Sequence, residues 1–277
     1  MQRLTQYRTQ HHATGFSLME LTVVLAIVTL LLGGLLTPLA AQRDVAAASE
    51  TQRQLADIRD ALLGFAIASE RLPCPASDSS GGRESFCVSA TGACTPTTVE
   101  ATPTVLAHGR CSNWYDGFVP AVSLGLAPLD AQGYLLDGWA SRIRYAVSTS
   151  NNSYAFTQSG GMKQKTIAAL QPDLKVCNAG SAVLHAGDPL AATCTENTFL
   201  VADAVAIVYS LGRNAGNGGS SDDARHNPNT TTSAAPSFVP VDPAFVNAVA
   251  SPDFDDALTW LSRNTLYNRM IGAGKLP

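Results

Sequence analysis

The sequence predicts an α+β protein in which a long N-terminal helix, transmembrane in its first half and amphipathic in its second, packs on an antiparallel β-sheet head. Three observations predict this. From Leu21 to Ala41 the chain is uncharged and apolar, interrupted only by Thr22, Thr29 and Thr37. From Gln42 to Arg71 apolar residues return at helical intervals instead. Beyond Leu72, short alternating segments are separated by stretches rich in Gly, Ser and Thr. The expected organisation is a leader over 1–15, a transmembrane helix over 16–41, its amphipathic continuation over 42–71 and a disulfide-containing, β-rich head over 72–277.

The apolar run sets the first boundary. About 20 residues at 1.5 Å rise suffice for a hydrocarbon core of roughly 30 Å. One acid, Glu20, stands where the run begins, and a carboxylate at a membrane boundary is costly. A cleaved secretory signal ending at Leu39-Ala40-Ala41 fits poorly, because the run exceeds the usual apolar core and Glu20 interrupts the basic-then-apolar order. An uncleaved anchor explains the length but leaves Gly15 and Glu20 without a task. Were the chain cut between Gly15 and Phe16, every residue would have a task. Glycine lets a protease draw the backbone close. The new α-amino group of Phe16 would lie about one helical turn from Glu20, and the carboxylate would sit at the favourable end of the helix dipole. Apart, the two charges are expensive in an apolar setting; paired, much less so. Arg3 and Arg8 lie in the leader, while Arg43 and Asp44 offset each other beyond the run. The predicted topology is therefore single-pass, with the leader cytoplasmic and residues from about Gln42 onward outside.

The tract Gly15-Phe16-Ser17-Leu18-Met19-Glu20 resembles the cleavage signature of type IV prepilins and type II secretion pseudopilins, with Gly, then Phe, then Glu fifth after the cut. The resemblance implies a pilin-like fold and a minor pilin or pseudopilin, cut by prepilin peptidase after Gly15 and N-methylated at Phe16. It also implies that Glu20 meets Phe16 of a neighbouring subunit and sets axial register in a filament. The protein would then be a substrate of an enzyme rather than one itself. Its partners would be the peptidase, other pilin or pseudopilin subunits and inner-membrane lipid. The membrane, by the same resemblance, would be the inner membrane, with the N-terminus cytoplasmic and the head periplasmic. The large head tilts the reading to a minor subunit, and Glu20 tilts it away from the tip, whose subunit often lacks the acid. His11 and His12 stand near the cut where the family more usually has Lys or Arg.

Gly33, Gly34 and Pro38 predict a kink or loosened turn, since proline removes a backbone bond and clashes with the preceding turn. Past it, Val45, Gln52, Leu55, Ile58, Leu62 and Phe65 recur on one face. Leu72-Pro73-Cys74-Pro75 ends the helix. Six cysteines follow: Cys74, Cys87, Cys94, Cys111, Cys177 and Cys194. No C-x-x-C occurs, and an even count outside the cytoplasm reads as disulfides rather than zinc ligands, with buried thiols the alternative. The expected pairing is Cys177–Cys194 and two bridges among the first four.

Residues 76–113 read as a disulfide-tied loop with little regular structure. Strands are expected over 142–147, 153–158, 203–210 and, more weakly, near 174–177 and 199–201. An extended segment is expected over 253–260, and Ser262 should cap a terminal helix reaching Ile271 with Leu266 and Met270 on one face. The order of Pro-Cys-Pro, Asp137-Gly138-Trp139 and Tyr209-Ser210-Leu211-Gly212-Arg213-Asn214 is similar to pseudopilin-related heads, although Ala140 stands where that family usually has Gly.

Major pseudopilins bind calcium after the Ser-x-Gly turn, and here that loop holds Asn214, Asn217, Asp222 and Asp223. Arg213 intrudes and the spacing is not an EF-hand, so the expectation is no cofactor, with these four residues as calcium candidates. No hydrolase, metalloprotease or phosphate-loop motif occurs, and His108, His185 and His226 are scattered in loops. Asp255 and Asp256 are neighbours that would point to opposite faces of a strand. Trp114, Tyr115 and Phe118 read as half-buried core. With 18 Lys+Arg against 22 Asp+Glu, nothing announces nucleic-acid binding.

Overall fold

The computed structural model describes residues 17–97, 103–178, 182–185, 188–194, 199–215, 227, 244–251 and 254–276, those at 32–40, 96–97, 182–185 and 188–194 by backbone alone. The chain divides into two compact units, Met1–Ala46 and Ala47–Pro277. Helix α1 (Leu18–Ser69) runs unbroken through Gly33, Gly34 and Pro38.

The expected membrane span, and with it the single-pass inner-membrane topology, is overturned. Among the described residues no helix is long and apolar enough to cross a membrane. The apolar side chains described at the start of α1 end at residue 31, and 18–31 rises only about 20 Å against the roughly 30 Å required.

In the second unit α1 buries a narrow stripe. Thr51, Leu55, Ile58, Leu62 and Ala66 are fully buried, at spacings of four, three, four and four that keep them on one face. Leu55, Ile58 and Leu62 were expected there. Val45 is 70% exposed, Gln52 is exposed and Phe65 half-buried. Small Thr51 and Ala66 hold the flanking seam positions.

Glu70, with φ of 57°, turns the chain out of the helix. Arg71 then folds back under it. Its guanidinium forks to both carboxylate oxygens of Glu84, at 2.6 and 2.8 Å, and lies over the rings of Phe65 and Phe86. Glu84 also accepts the Cys74 N–H at 2.9 Å. A buried pair of this kind is tolerable because both partners are multiply bonded; removing either would strand a charge.

Residues 76–113 hold more regular structure than expected. Strands β1 (Phe86–Cys87) and β2 (Pro96–Thr97) form a small antiparallel pair, followed by helix α2 (Pro103–His108). Disulfides Cys74–Cys111 and Cys87–Cys94 tie the region, giving the two expected bridges among the first four cysteines. Cys177 is also disulfide-bonded; the side chain of its expected partner Cys194 lies outside the described residues.

Next come β3 (Gly117–Phe118), α3 (Ala121–Leu124), β4 (Arg144–Val147), α4 (Gly161–Gln164), β5 (Leu174–Asn178), β6 (Ala182–His185), β7 (Asp188–Cys194), β8 (Phe199–Ser210), β9 (Ala244–Asn247), β10 (Ala257–Ser262) and α5 (Arg263–Gly272). Among the described residues strands β6 and β7 pair only with each other. The main sheet runs β3-β4-β8-β5-β9, with β10 also on β8. Strand β8 organises it: Ala206–Tyr209 lies between β4 and β10, while its first half pairs with β5. The sheet is mixed rather than antiparallel, since β5 and β9 run parallel. The long chain between Asn178 and Ala244 gives room for the crossover a parallel pair requires.

The strand expected over 153–158 is absent. Ser150, Asn151, Asn152 and Tyr154 instead take φ between 50° and 64°, a left-handed turn costly for residues with a Cβ. Asp173 holds it: its carboxylate accepts from the Thr149 N–H at 3.2 Å and from the Thr149 hydroxyl, and Thr149 O in turn accepts the Tyr154 N–H. Burial pushes the Asp173 carboxyl up, against the bonds from Thr149 and Ser148.

Candidate functional site

Two places carry the residues singled out in the sequence, one in each unit. The first is the start of α1. Gly15 and Phe16 lie outside the described residues. Ser17 caps the helix: its Oγ accepts the Glu20 N–H at 3.2 Å and its carbonyl accepts the Leu21 N–H at 3.1 Å. Glu20 is thus the third residue of the first turn, where free N–H groups and the dipole favour a carboxylate. The cap was missed in the sequence although Ser17-Leu18-Met19-Glu20 has the spacing of a capping box.

The hydroxyls of Thr22 and Thr29, which interrupt the apolar run, are consumed by the helix itself. Thr22 donates to Met19 O at 2.8 Å, and Thr29 to Leu25 O and Ala26 O at 3.0 and 2.9 Å. What remains is hydrocarbon. Every large apolar side chain from Leu18 to Leu31 is exposed, from 42% at Val28 to 82% at Leu18. A helix apolar on all sides belongs in a buried setting.

The second place is where Asp137-Gly138-Trp139 meets the end of β8. The Asp137 Oδ1 accepts the N–H groups of Trp139 and Ser141 at 2.9 and 2.8 Å, fixing its own turn. Oδ2 accepts the Ser210 hydroxyl at 2.5 Å, and Ser210 Oγ accepts the Gly212 N–H at 3.1 Å. Two of the motifs that carried the head's resemblance are therefore bonded to each other. Burial pushes the Asp137 carboxyl up, the nearby charge of Asp255 adding to it and the bonds from Ser210, Ser141 and Trp139 opposing.

This turn packs on α1. A Cβ on Gly138 would sit 2.3 Å from Ala47 O, so only glycine fits, and the Gly138 N–H donates to Thr51 Oγ1 at 3.0 Å. Ala140, in the place of the family's glycine, has φ of 65°. The turn keeps the left-handed conformation a glycine would take, at a cost.

Among the calcium candidates only Asn214 is described; Asn217, Asp222 and Asp223 lie outside the described residues. Among the described residues no group of three or more His, Cys, Asp or Glu could hold a metal ion. Asp255 and Asp256 do not act together: Asp255 Oδ2 accepts the Arg213 N–H at 2.8 Å, and Asp256 Oδ2 accepts from Asn227 Nδ2 at 2.7 Å. His108 Nδ1 accepts the Arg110 N–H at 3.0 Å, and burial lowers its pKa; His226 and the side chain of His185 lie outside the described residues. Trp114, Tyr115 and Phe118 are core.

No protein-family model matches the chain, and no curated protein or solved structure matches it.

Proposed function

We propose that the chain is a minor pilin or pseudopilin, a structural subunit of a type IV pilus or type II secretion pseudopilus, cut by prepilin peptidase after Gly15 and N-methylated at Phe16. One observation carries the reading: a helix start clad in exposed hydrocarbon whose one acid, Glu20, is in the first turn. Side chains such as Leu18 and Leu30 need cover, and like helices packed side by side in a filament supply it. Glu20 then needs a cation at the same level, and the α-amino group of a neighbour's Phe16 provides one. In this reading the peptidase and fellow subunits are the partners, and the chain performs no chemistry of its own.

Mass spectrometry of the mature N-terminus tests processing. A chain beginning at methylated Phe16 supports the proposal; a chain retaining Met1 ends it. Assembly tests the role of Glu20: Glu20→Ala should process normally yet drop out of filaments isolated by shearing, and undiminished incorporation would refute the pairing.

A further inference from the structure

One cleft in the second unit is used by nothing above. It is open, of about 470 Å³, between the second half of α1 and the β10–α5 corner. Thr259 and Trp260 line it together with the next two residues of β10. Successive side chains of a strand alternate faces, and before the bulge between Leu261 and Ser262 three consecutive residues, Thr259 to Leu261, share the cleft, which therefore runs along the strand's edge. That edge is free. Strand β10 is paired with β8 on one side, and among the described residues no backbone group bonds its other side.

The walls carry positive charge. Arg59 reaches the cleft from α1 and Arg269 from α5, against one carboxylate, Asp60. Arg59 is paired among the described residues only with that neighbour, at 3.5 Å and exposed; Arg269 makes no ion pair among them. This is a local excess of cations in a chain of net charge −4. Leu63 and the half-buried Trp260 add apolar lining, and Trp and Arg are among the residues enriched where binding energy concentrates. Free sheet edges are normally blunted, because they invite another strand. Here the edge opens into a space with room for a few residues of extended chain.

We propose that this cleft binds an extended acidic segment of a partner polypeptide, which adds a strand to the free edge of β10 while its carboxylates meet Arg59 and Arg269. Backbone pairing supplies affinity and the guanidiniums select the charge. The proposal is independent of the filament reading.

The test is fluorescence anisotropy on the full chain, at low salt, with a labelled peptide alternating Glu and Val. Saturable binding is expected, weakened about tenfold by Arg269→Glu. Methylating alternate backbone nitrogens of the peptide should weaken it comparably, while Arg53→Gln, outside the cleft, should leave it unchanged. Absence of saturable binding overturns the proposal. So does equal binding of the N-methylated peptide, which would mean charge attraction without strand addition, or indifference to Arg269→Glu. If Arg269→Glu abolishes self-association of the chain and not peptide binding, the occupant is a second copy and the proposal falls.

Discussion

Residues 18–31 and residues 51–66 belong to one helix and meet opposite fates. The later stretch buries Leu55, Ile58 and Leu62 completely against its own chain. In the earlier one Leu18, Leu25 and Leu30 are 82%, 55% and 77% exposed. The later stretch alternates a narrow apolar stripe with Arg53, Asp57 and Asp60, so it has an inside and an outside. The earlier is apolar on all sides, and no single packed surface could cover it. One stretch is stabilised by packing within the chain; the other leaves its apolar side chains exposed.

The largest expected effect sharpens that contrast. Leu62→Ala should cost about 3 kcal/mol in chemical denaturation, the usual loss for a fully buried leucine. Leu25→Ala should change stability by less than about 0.5 kcal/mol, as at exposed positions generally. A comparable loss from both would show that the helix start is packed after all.

A smaller effect probes the turn that holds the later stretch. Ala140→Gly should stabilise the protein by about 0.5 kcal/mol, relief of the left-handed backbone outweighing the greater freedom of glycine in the unfolded chain. Destabilisation in the same denaturation measurement would mean that the Ala140 methyl packs usefully.

The smallest effect concerns pH. The Asp137 carboxyl is raised above its ordinary value of 3.8, by burial first. Its contribution is therefore fully present below that value and is lost as pH rises through the folded-state pKa. The stability advantage of the native protein over Asp137→Asn should be greatest in acid and shrink toward neutrality. An advantage that grows with pH would mean that the bonds from Ser210, Ser141 and Trp139 outweigh burial.

Much of the second unit was legible. Period-two alternation announced β4 and β8, and Ser262 before an i, i+4 apolar pair announced α5, whose Thr265 N–H the Ser262 hydroxyl accepts. The left-handed turn at 150–154 was not legible, because what holds it is Asp173, about twenty residues further on. Nor was the place of Thr51 in the seam, since a threonine reads as polar until Gly138 is seen to approach it. At the candidate site, Glu20 stood out as an isolated charge, whereas Ser17 was overlooked beside the stronger cleavage pattern.

The sequence by itself determined what depends on near neighbours: a helix from its periodicity, its end at Leu72-Pro73, strands from alternation, caps from a hydroxyl at the right spacing. Only the tertiary structure decided which cysteines pair, that β9 runs parallel to β5, that Asp137 joins Ser210, and that β10 keeps an edge unbonded among the described residues. These depend on which distant backbones come within bonding reach. Local composition does not encode that reach; the shared core between the sheet and the buried face of α1 does.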